Sequence, residues 1–345
     1  MLDLGIVILN WNTRDLLRAC LRSVYASRGD FTYQVCVVDN ASADGSAAMV
    51  QTDFSQVQLI ENPVNSGYAA GNNVGLRALG YGLQSEAASP AASPAASPAG
   101  EGGVAPRYAL LLNPDTVLPE TALADMLAYM ERHPHCGAAG PKLVLPDGHL
   151  DLACRRSFPS PEISFYRLIG LSHLFPGNQR FGRYNLTYLS PDLETEVDAV
   201  VGAFMLVRRE AITQAGLLDE AFWMYGEDLD WAFAFRQAGW EVRYNPAVTV
   251  LHVKRAASRQ SRQAQLAFHE AMLLFYRKHY AATTPWPLNW LVVLGIRLNL
   301  VAIGVREFFT HREGDGRRGH DHAESQLPPP ASRSTDGRPL STNDH

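Results

Sequence analysis

Two acidic clusters contain the side chains best suited to chemistry, and the first is Asn113-Pro-Asp115. It directly follows the apolar run from Tyr108 to Leu112, which is typical of a strand buried on both faces. Proline stops the strand, so Asp115 is predicted to lie just beyond its carboxyl end. Ligands bind at that edge of an open α/β sheet, and a carboxylate there could hold a divalent cation against a diphosphate. On this motif alone, an Asp that caps the following helix is an equally good interpretation.

The second cluster, Glu227-Asp-Leu-Asp230, opens a predicted helix and has aromatic neighbours. Carboxylates in a first helical turn are favoured by the helix dipole, which would explain the cluster without any function. The dipole does not explain Trp223 and Tyr225, which precede it. Aromatic rings can cover the apolar face of a sugar while a carboxylate takes a hydroxyl proton. We therefore interpret this cluster as an acid/base site that receives an acceptor.

Glycines recur every fourth residue at positions 67, 71 and 75, after a predicted strand and at the start of a predicted helix. Glycine allows a ligand to approach the backbone closely, and helix N-termini bind anions. The spacing matches neither the dinucleotide-binding fingerprint nor the phosphate-binding Walker loop. A glycine-rich turn that packs a helix tightly on a sheet is the alternative interpretation.

Short apolar runs alternate with helical patterns and predict a parallel α/β sheet that positions these clusters. The predicted strands are residues 4–9, 34–38, 57–60, 108–112, 137–145 and 197–207, with strand-like pieces at 240–244 and 247–253. Residues 152–196 are predicted to form a long irregular loop region. Its Arg155 and Arg156 could contact phosphate, although such arginines are more often solvated.

The composition excludes several classes of protein. The chain has 345 residues, 46% of them hydrophobic, so it can bury a full-sized core. Its net charge of −5 argues against nucleic acid as a partner. The 4 cysteines are widely spaced, which disfavours a zinc site or a disulfide framework and indicates a reducing compartment. We find no pattern of a signal peptide at the N-terminus.

Composition also divides the chain into regions. We predict a catalytic domain over residues 1–255, with a disordered Ala/Ser/Pro insertion at 85–106, helices over 256–310, and a disordered tail over 311–345. Residues 286–309 are apolar along one helical stripe but include Arg297, which disfavours a membrane span. An amphipathic helix lying in the membrane surface is our interpretation. Packing on the domain or a dimer contact is the alternative.

Six motifs in order resemble the bacterial family 2 glycosyltransferases, and within them the rhamnosyltransferase-like members. They are Val-Ile-Leu-Asn-Trp-Asn at 7–12, Val-Asp-Asn-Ala-Ser at 38–42, Asn-Ser-Gly-Tyr-Ala-Ala-Gly-Asn-Asn at 65–73, Leu-Leu-Asn-Pro-Asp-Thr at 111–116, Gly-Ala-Phe-Met-Leu-Val-Arg-Arg at 202–209 and Tyr-Gly-Glu-Asp-Leu-Asp at 225–230. The similarity covers about residues 4–280. The insertion and the tail depart from the family pattern without touching a motif.

The resemblance implies a GT-A fold, which is a Rossmann-like, mixed but mainly parallel sheet flanked by helices, here with a C-terminal helical extension. It implies a nucleotide-diphospho-sugar donor, Mg²⁺ or Mn²⁺, and inversion at the anomeric carbon. The implied reaction moves rhamnose from dTDP-rhamnose to a hydroxyl of a cell-surface polysaccharide or a polyprenyl-linked glycan. A UDP-hexose or UDP-N-acetylhexosamine donor is the alternative, and a non-catalytic binding module ranks lower. The implied location is the cytoplasmic face of the cell membrane.

Matching motif positions assigns roles to individual residues. The resemblance implies nucleotide-sugar binding by Asn10, Asn12, Asp39, Asn65, Gly71, Asn72 and Asp115, metal binding by Asp115 and His252, and catalysis by Asp228 as base with Glu227 beside it. The aromatic company of the second cluster predicts acceptor binding by Trp223, Tyr225 and Asp230. Here the metal motif reads Asn-Pro-Asp instead of ending in two aspartates, so one carboxylate carries more of the coordination. From the residues alone, a single His such as His252 is more often structural.

Overall fold

A computed structural model describes residues 2–82, 104–254 and 262–297 of the chain. Most of the predicted insertion at 85–106, all of the tail at 311–345 and the second part of 286–309 lie outside the described residues. The described residues up to 296 form one compact unit. The helices that follow the predicted catalytic domain, as far as residue 296, therefore belong to the same unit as that domain.

The first half of the chain alternates strands and helices, as its apolar runs predict. The elements are β1 (Leu4–Asn10), α1 (Arg14–Tyr25), β2 (Tyr33–Asp39), α2 (Ser46–Asp53), β3 (Gln58–Glu61), α3 (Tyr68–Ala78) and β4 (Tyr108–Leu112). Strands β1 and β4 are almost wholly buried, because helices cover both faces of a parallel sheet.

The second half is less regular. Its elements are β5 (Thr116–Val117), α4 (Ala122–Arg132), β6 (Cys136–Val144), α5 (Pro161–Leu168), α6 (Leu171–Leu174), β7 (Thr195–Val197), β8 (Phe204–Arg208), α7 (Arg209–Ala215), α8 (Glu227–Gln237), β9 (Glu241–His252) and α9 (Arg262–His279). A short 3₁₀ helix spans Leu152–Cys154, and residues 286–297 are helical. In the described ranges, no helix combines the length and apolar content needed to cross a bilayer.

The strands form one sheet in the order β3-β2-β1-β4-β8-β6-β9-β5, with β7 beside β9. Strands β3, β2, β1 and β4 run parallel, so their carboxyl ends meet at one edge. Strand β8 is antiparallel to both of its neighbours, while β6 and β9 are parallel. This mixed, mostly parallel sheet confirms the predicted fold class.

Two strand predictions are wrong in detail. The predicted strand 197–207 is divided between β7 and β8, because Ala199 and Gly202 bond to Arg156 and Asp228. The pieces predicted at 240–244 and 247–253 are one strand, β9, whose pairing with β6 shifts register between Pro141 and Lys142. The region predicted to be irregular, 152–196, contains α5 and α6.

Two glycines of the repeated series pack α3 against the sheet. A Cβ built on Gly71 would lie 2.5 Å from Leu9 Cδ1, and one on Gly75 would lie 2.5 Å from Val7 Cγ1. Neither distance leaves room for a side chain. These contacts support the tight-packing interpretation of the glycine spacing at Gly71 and Gly75. Gly67 differs, because it has a positive φ of 85° and lies against Trp223.

Candidate active site

The carboxyl ends of β1 and β2 bring three predicted binding residues to one edge of the sheet. Asn10 ends β1, Asp39 ends β2, and the two are paired in register. Asn10 Nδ2 donates a 2.8 Å hydrogen bond to Asp39 Oδ1, and the Ser42 N–H donates a 2.9 Å bond to Asp39 Oδ2. Asn12 Oδ1 accepts a 2.8 Å hydrogen bond from the Ala43 N–H. These bonds fix the residues predicted to line a nucleotide pocket, and their contact with a nucleotide stays a prediction.

Amide side chains tie the end of β2 to the loop before α3. Asn40 Nδ2 donates to Asn65 Oδ1 at 2.9 Å and to the Gly67 carbonyl at 3.1 Å. The Gly67 N–H donates in turn to Asn65 Oδ1 at 3.0 Å. Asn65 is thus held at the predicted edge by Asn40, a residue that the motif analysis did not single out. Its signal in the sequence is the acceptor-rich turn that follows the strand.

Two other predicted nucleotide-binding residues make contacts inside the protein. Gly71 faces Leu9 of β1, as described above. Asn72 is buried, and its Nδ2 donates a 2.9 Å hydrogen bond to the Tyr68 carbonyl one turn earlier in the same helix. The structure therefore shows packing contacts at Gly71 and Asn72, and their predicted roles at a nucleotide are not tested by it.

Asp115 and His252 lie side by side because the short strand β5 pairs with the end of β9. His252 Nε2 is 3.3 Å from Asp115 Oδ1. On the other side of the ring, His252 Nδ1 is 2.9 Å from Asp151 Oδ2, and Lys254 Nζ donates to Asp151 Oδ1 at 2.8 Å. Burial disfavours the charged imidazole, but the neighbouring carboxylates of Asp115 and Asp151 outweigh this effect and raise the pKa of His252. No local pattern in the sequence indicated a role for Asp151.

The Asp115–His252 pair offers a donor set for a divalent cation. Asp115 Oδ1 is buried and accepts no hydrogen bond of normal geometry. Carboxylate oxygen and imidazole nitrogen are ligands that Mn²⁺ accepts, and a second carboxylate such as Asp151 commonly orients a ligating histidine. Within the described residues, no three or more His, Cys, Asp or Glu side chains are grouped to hold a metal. Asp115 and His252 would therefore supply two protein ligands to a divalent cation.

In the second acidic cluster, both carboxylate oxygens of Asp228 accept hydrogen bonds. Its Oδ2 accepts a 2.6 Å hydrogen bond from Arg156 Nη2 and a 3.1 Å bond from the Gly202 N–H. Its Oδ1 accepts a 2.8 Å bond from the Leu229 N–H. Arg156 and Asp228 are both buried, and so is Arg155, which donates to two backbone carbonyls. Both arginine side chains are therefore buried and hydrogen-bonded inside the protein, and they are not solvated.

Glu227 has a different environment from its neighbour. It is buried, and its Oε2 has no hydrogen-bond partner. Burial, followed by the negative charge of Asp228, raises the pKa of Glu227 to about 8. A buried carboxyl group that exchanges its proton near neutral pH is suited to general acid/base chemistry.

The hydroxyl group of Tyr68 links the two acidic clusters. It lies 3.2 Å from Asn113 Oδ1 in the first motif and 2.9 Å from the Gly202 carbonyl, and the Gly202 N–H bonds to Asp228. Burial raises the pKa of Tyr68 well above its usual value, and carboxylates of both clusters raise it further. These carboxylates are Glu227, Asp228 and Asp115. The clusters, more than 100 positions apart in the chain, therefore share one site.

The predicted acceptor residues are placed unequally. Trp223 is 38% exposed, and its carbonyl accepts a 2.6 Å hydrogen bond from the Tyr68 N–H, so it lies at the rim of the site. Tyr225 packs edge-on against Phe268 of α9. Asp230 is buried. Its carboxylate accepts hydrogen bonds from α9, namely from Lys278 Nζ at 2.9 Å and from His279 Nε2 at 2.7 Å. Asp230 thus holds α9 on α8, and its predicted role toward an acceptor is not tested.

The mixed, mostly parallel sheet has the GT-A fold, and the two acidic clusters lie together in its candidate site. The chain belongs to the glycosyltransferase-like family 2, whose sequence model matches residues 3–267. This confirms the family resemblance of the six motifs.

Similar proteins include two curated glycosyltransferases. The N-acetylglucosaminyl-diphospho-decaprenol L-rhamnosyltransferase of Mycobacterium tuberculosis is 28% identical over 74% of this chain and 78% of its own length. The low-salt glycan biosynthesis hexosyltransferase Agl10 of Haloferax volcanii is 24% identical over 79% of this chain and 75% of its own. Family and relatives together support a role in glycosyl transfer.

Among solved structures, GalNAc-T7 with UDP, GalNAc and Mn²⁺ has a TM-score of 0.52 and 12% sequence identity. The match covers 80% of this chain and 48% of that one, so the present chain spans about half of that structure. At this identity the likeness shows the shared fold.

Proposed function

We propose that this protein is an inverting, metal-dependent glycosyltransferase that moves rhamnose from dTDP-rhamnose to a hydroxyl of a polyprenyl-linked glycan or cell-surface polysaccharide precursor. The convergence of both acidic clusters on Tyr68 supports this proposal, because the candidate metal ligand Asp115 and the base candidates would then act in one site. The name of the M. tuberculosis relative supports rhamnose as the transferred sugar and a lipid-linked acceptor. A UDP-hexose or UDP-N-acetylhexosamine donor is the alternative, and the H. volcanii relative supports only that a hexose is transferred.

Asp115 and His252 would hold Mg²⁺ or Mn²⁺ together with the diphosphate of the donor. Bound there, the cation would neutralise the charge of the leaving diphosphate. Asp151 accepts from His252 Nδ1, which leaves Nε2 directed to Asp115 and the cation. Lys254 neutralises Asp151, so the histidine stays oriented without an excess of negative charge on that side.

The resemblance assigns the base to Asp228, but the contacts favour Glu227 for that role. Three hydrogen bonds already occupy Asp228, and Arg156 neutralises its charge. Glu227 Oε2 has no partner, and its raised pKa makes it a stronger base once deprotonated. In our proposal, Glu227 takes the proton of the acceptor hydroxyl while the oxygen of that hydroxyl bonds to the anomeric carbon of the donor sugar. The bond from that carbon to the diphosphate breaks in the same displacement, so the configuration inverts.

The proposal places the enzyme on the cytoplasmic face of the membrane, where a polyprenyl-linked acceptor would be reached through the amphipathic helix predicted at 286–309. The described part of this segment, 286–297, is helical, and Trp286 and Trp290 are 81% and 61% exposed. Tryptophan is typical of helices that lie in a membrane surface.

The proposal is tested by offering the purified chain one donor at a time, with Mn²⁺ and a short polyprenyl-diphosphate-linked sugar as acceptor. Release of dTDP from dTDP-rhamnose that requires the acceptor is the expected result, with an inverted anomeric configuration in the product. Turnover of UDP-sugars alone would move the assignment to the alternative donor. No turnover of any donor, or retention of configuration, would refute the reaction.

A further inference from the structure

Exposed large hydrophobic side chains are concentrated in two short segments of the described structure. Of 15 such side chains, nine lie in residues 165–175 or 286–291. Single exposed hydrophobic residues need no explanation, whereas a contiguous group marks an interaction site. The family motifs and the proposed catalytic residues do not include any of the nine.

The first segment spans α5 and α6. Five side chains on these two short helices or directly after their ends have between 49% and 70% of their surface exposed, namely Phe165, Leu168, Ile169, Leu174 and Phe175. A surface helix that faces water has polar residues at its solvent-exposed positions. The length of α6, 4 residues, makes it too short to be stable by itself, so the segment depends on packing for its structure.

The second segment is the helix over residues 286–296. Trp286, Leu288, Trp290 and Leu291 are exposed on it. It is anchored to α9 by a 2.8 Å hydrogen bond from the Tyr276 hydroxyl to Asn289 Oδ1. It lies next to the first segment, because a Cβ built on Gly295 would lie 3.9 Å from Leu168 Cδ2.

The surroundings of the first segment are cationic, although the whole chain has a net charge of −5. Residues 161–183 contain three arginines and one glutamate, and no aspartate or lysine. A cavity of about 610 Å³ beside α5 is lined by Arg180, Arg183, Glu162 and the rings of Tyr166 and Tyr188. Apolar side chains beside excess arginine match the chemistry of a bilayer that contains anionic lipid.

We propose that α5–α6 and helix 286–296 form one composite membrane-docking surface that rests on anionic phospholipid. Membrane attachment by the helix predicted at 286–309 belongs to the proposed function, on which this inference partly rests. The role of α5–α6 is new. Two adjoining segments would bind a bilayer more firmly than one, because both apolar groups leave water together. They would also fix the orientation of the catalytic edge relative to the membrane.

Flotation of the full chain with vesicles tests the proposal, using phosphatidylcholine alone and phosphatidylcholine with phosphatidylglycerol. Leu174→Glu/Phe175→Glu should lower binding to the anionic vesicles about tenfold or more, since two half-exposed apolar side chains no longer leave water. The matched control is Val104→Glu/Leu193→Glu, which changes side chains that are 63% and 49% exposed at other sites, against 70% and 53% for the first pair. The control should float as the parent protein does.

Unchanged flotation of Leu174→Glu/Phe175→Glu would overturn the proposal, even if Trp286→Glu/Trp290→Glu abolishes binding. Sedimentation without lipid tests the alternative that the surface binds a second copy of this chain. The alternative would be supported if the parent is a dimer, Leu174→Glu/Phe175→Glu is a monomer, and the variant binds lipid as the parent does. Melting temperatures equal to the parent value show that each variant is folded. Flotation requires no turnover, so a failure of the proposed sugar transfer would leave this test intact.

Discussion

The raised pKa of Glu227 predicts a cost in stability that its replacement by glutamine would remove. A carboxyl group in an unfolded chain ionises near its ordinary value of 4.5, whereas burial and Asp228 raise the pKa of Glu227 in the folded protein to about 8. Between these values the folded state binds more protons than the unfolded state. The free energy of unfolding therefore falls as the pH rises through this window, and the stabilising contribution is complete only below the lower pKa.

The size of this effect follows from the two pKa values. A shift from 4.5 to about 8 corresponds to roughly 5 kcal/mol once the pH exceeds both values, and to roughly 3 kcal/mol at pH 7. Glu227→Gln cannot ionise, so the variant should lack this loss. We expect the free energy of unfolding of Glu227→Gln to be equal to or lower than that of the parent at pH 5. At pH 9 we expect it to be several kcal/mol higher than that of the parent.

Urea denaturation at pH 5, 7 and 9 measures the difference. Glu120→Gln makes the same chemical change at an exposed ion pair and should follow the parent at every pH. In parallel, parent kcat should rise about tenfold between pH 7 and 9 as Glu227 loses its proton, while Glu227→Gln stays nearly inactive. Parallel stability curves for the parent and Glu227→Gln would refute the raised pKa and, with it, the assignment of the base.

Three other substitutions follow from contacts in the structure. Asp115→Ala should abolish Mn²⁺-dependent binding of nucleotide diphosphate, and unchanged calorimetric affinity would contradict its role as a metal ligand. Arg156→Met should destabilise the protein by about 3–5 kcal/mol because it leaves Asp228 buried and unpaired, whereas adding Asp228→Asn should restore much of this in denaturation curves; equal losses in both variants would contradict the pairing. Gly75→Ala should cost about 1–3 kcal/mol by thermal denaturation, because the new Cβ meets Val7, and an unchanged melting temperature would show that α3 can shift.

The sequence predicted those parts of the fold that depend on local pattern. Unbroken apolar runs such as Tyr108–Leu112 predict buried strands because every residue in them must lie in the core. The same rule failed over 197–207, where Ala199 is as buried as a strand residue but bonds to Arg156. Apolar content measures burial, and it does not show whether a buried backbone pairs with a strand or with a turn.

In the candidate site, the type of chemistry was predictable and the partners were not. Asp115 stands out because a strand ends in front of it. Arg156 was open to a role at phosphate or in solvent because its partner, Asp228, lies 72 positions away. Asp230 similarly has aromatic neighbours in sequence, but its hydrogen bonds come from His279, 49 positions further on. A spacing rule covers neighbouring residues, and these pairs are formed only by the tertiary fold.

Through its contacts, helix α9 is expected to influence the chemistry of the second acidic cluster, Glu227 to Asp230. A Cβ built on Gly226, directly before Glu227, would lie 3.4 Å from Ala271 of α9. At the other end of the cluster, His279 fixes Asp230. Because α9 packs against the turn before Glu227, we expect it to contribute to the burial that raises the pKa of that carboxyl group. A catalytic domain ending at residue 255 would lose this cover, so the functional unit in our proposal extends through α9.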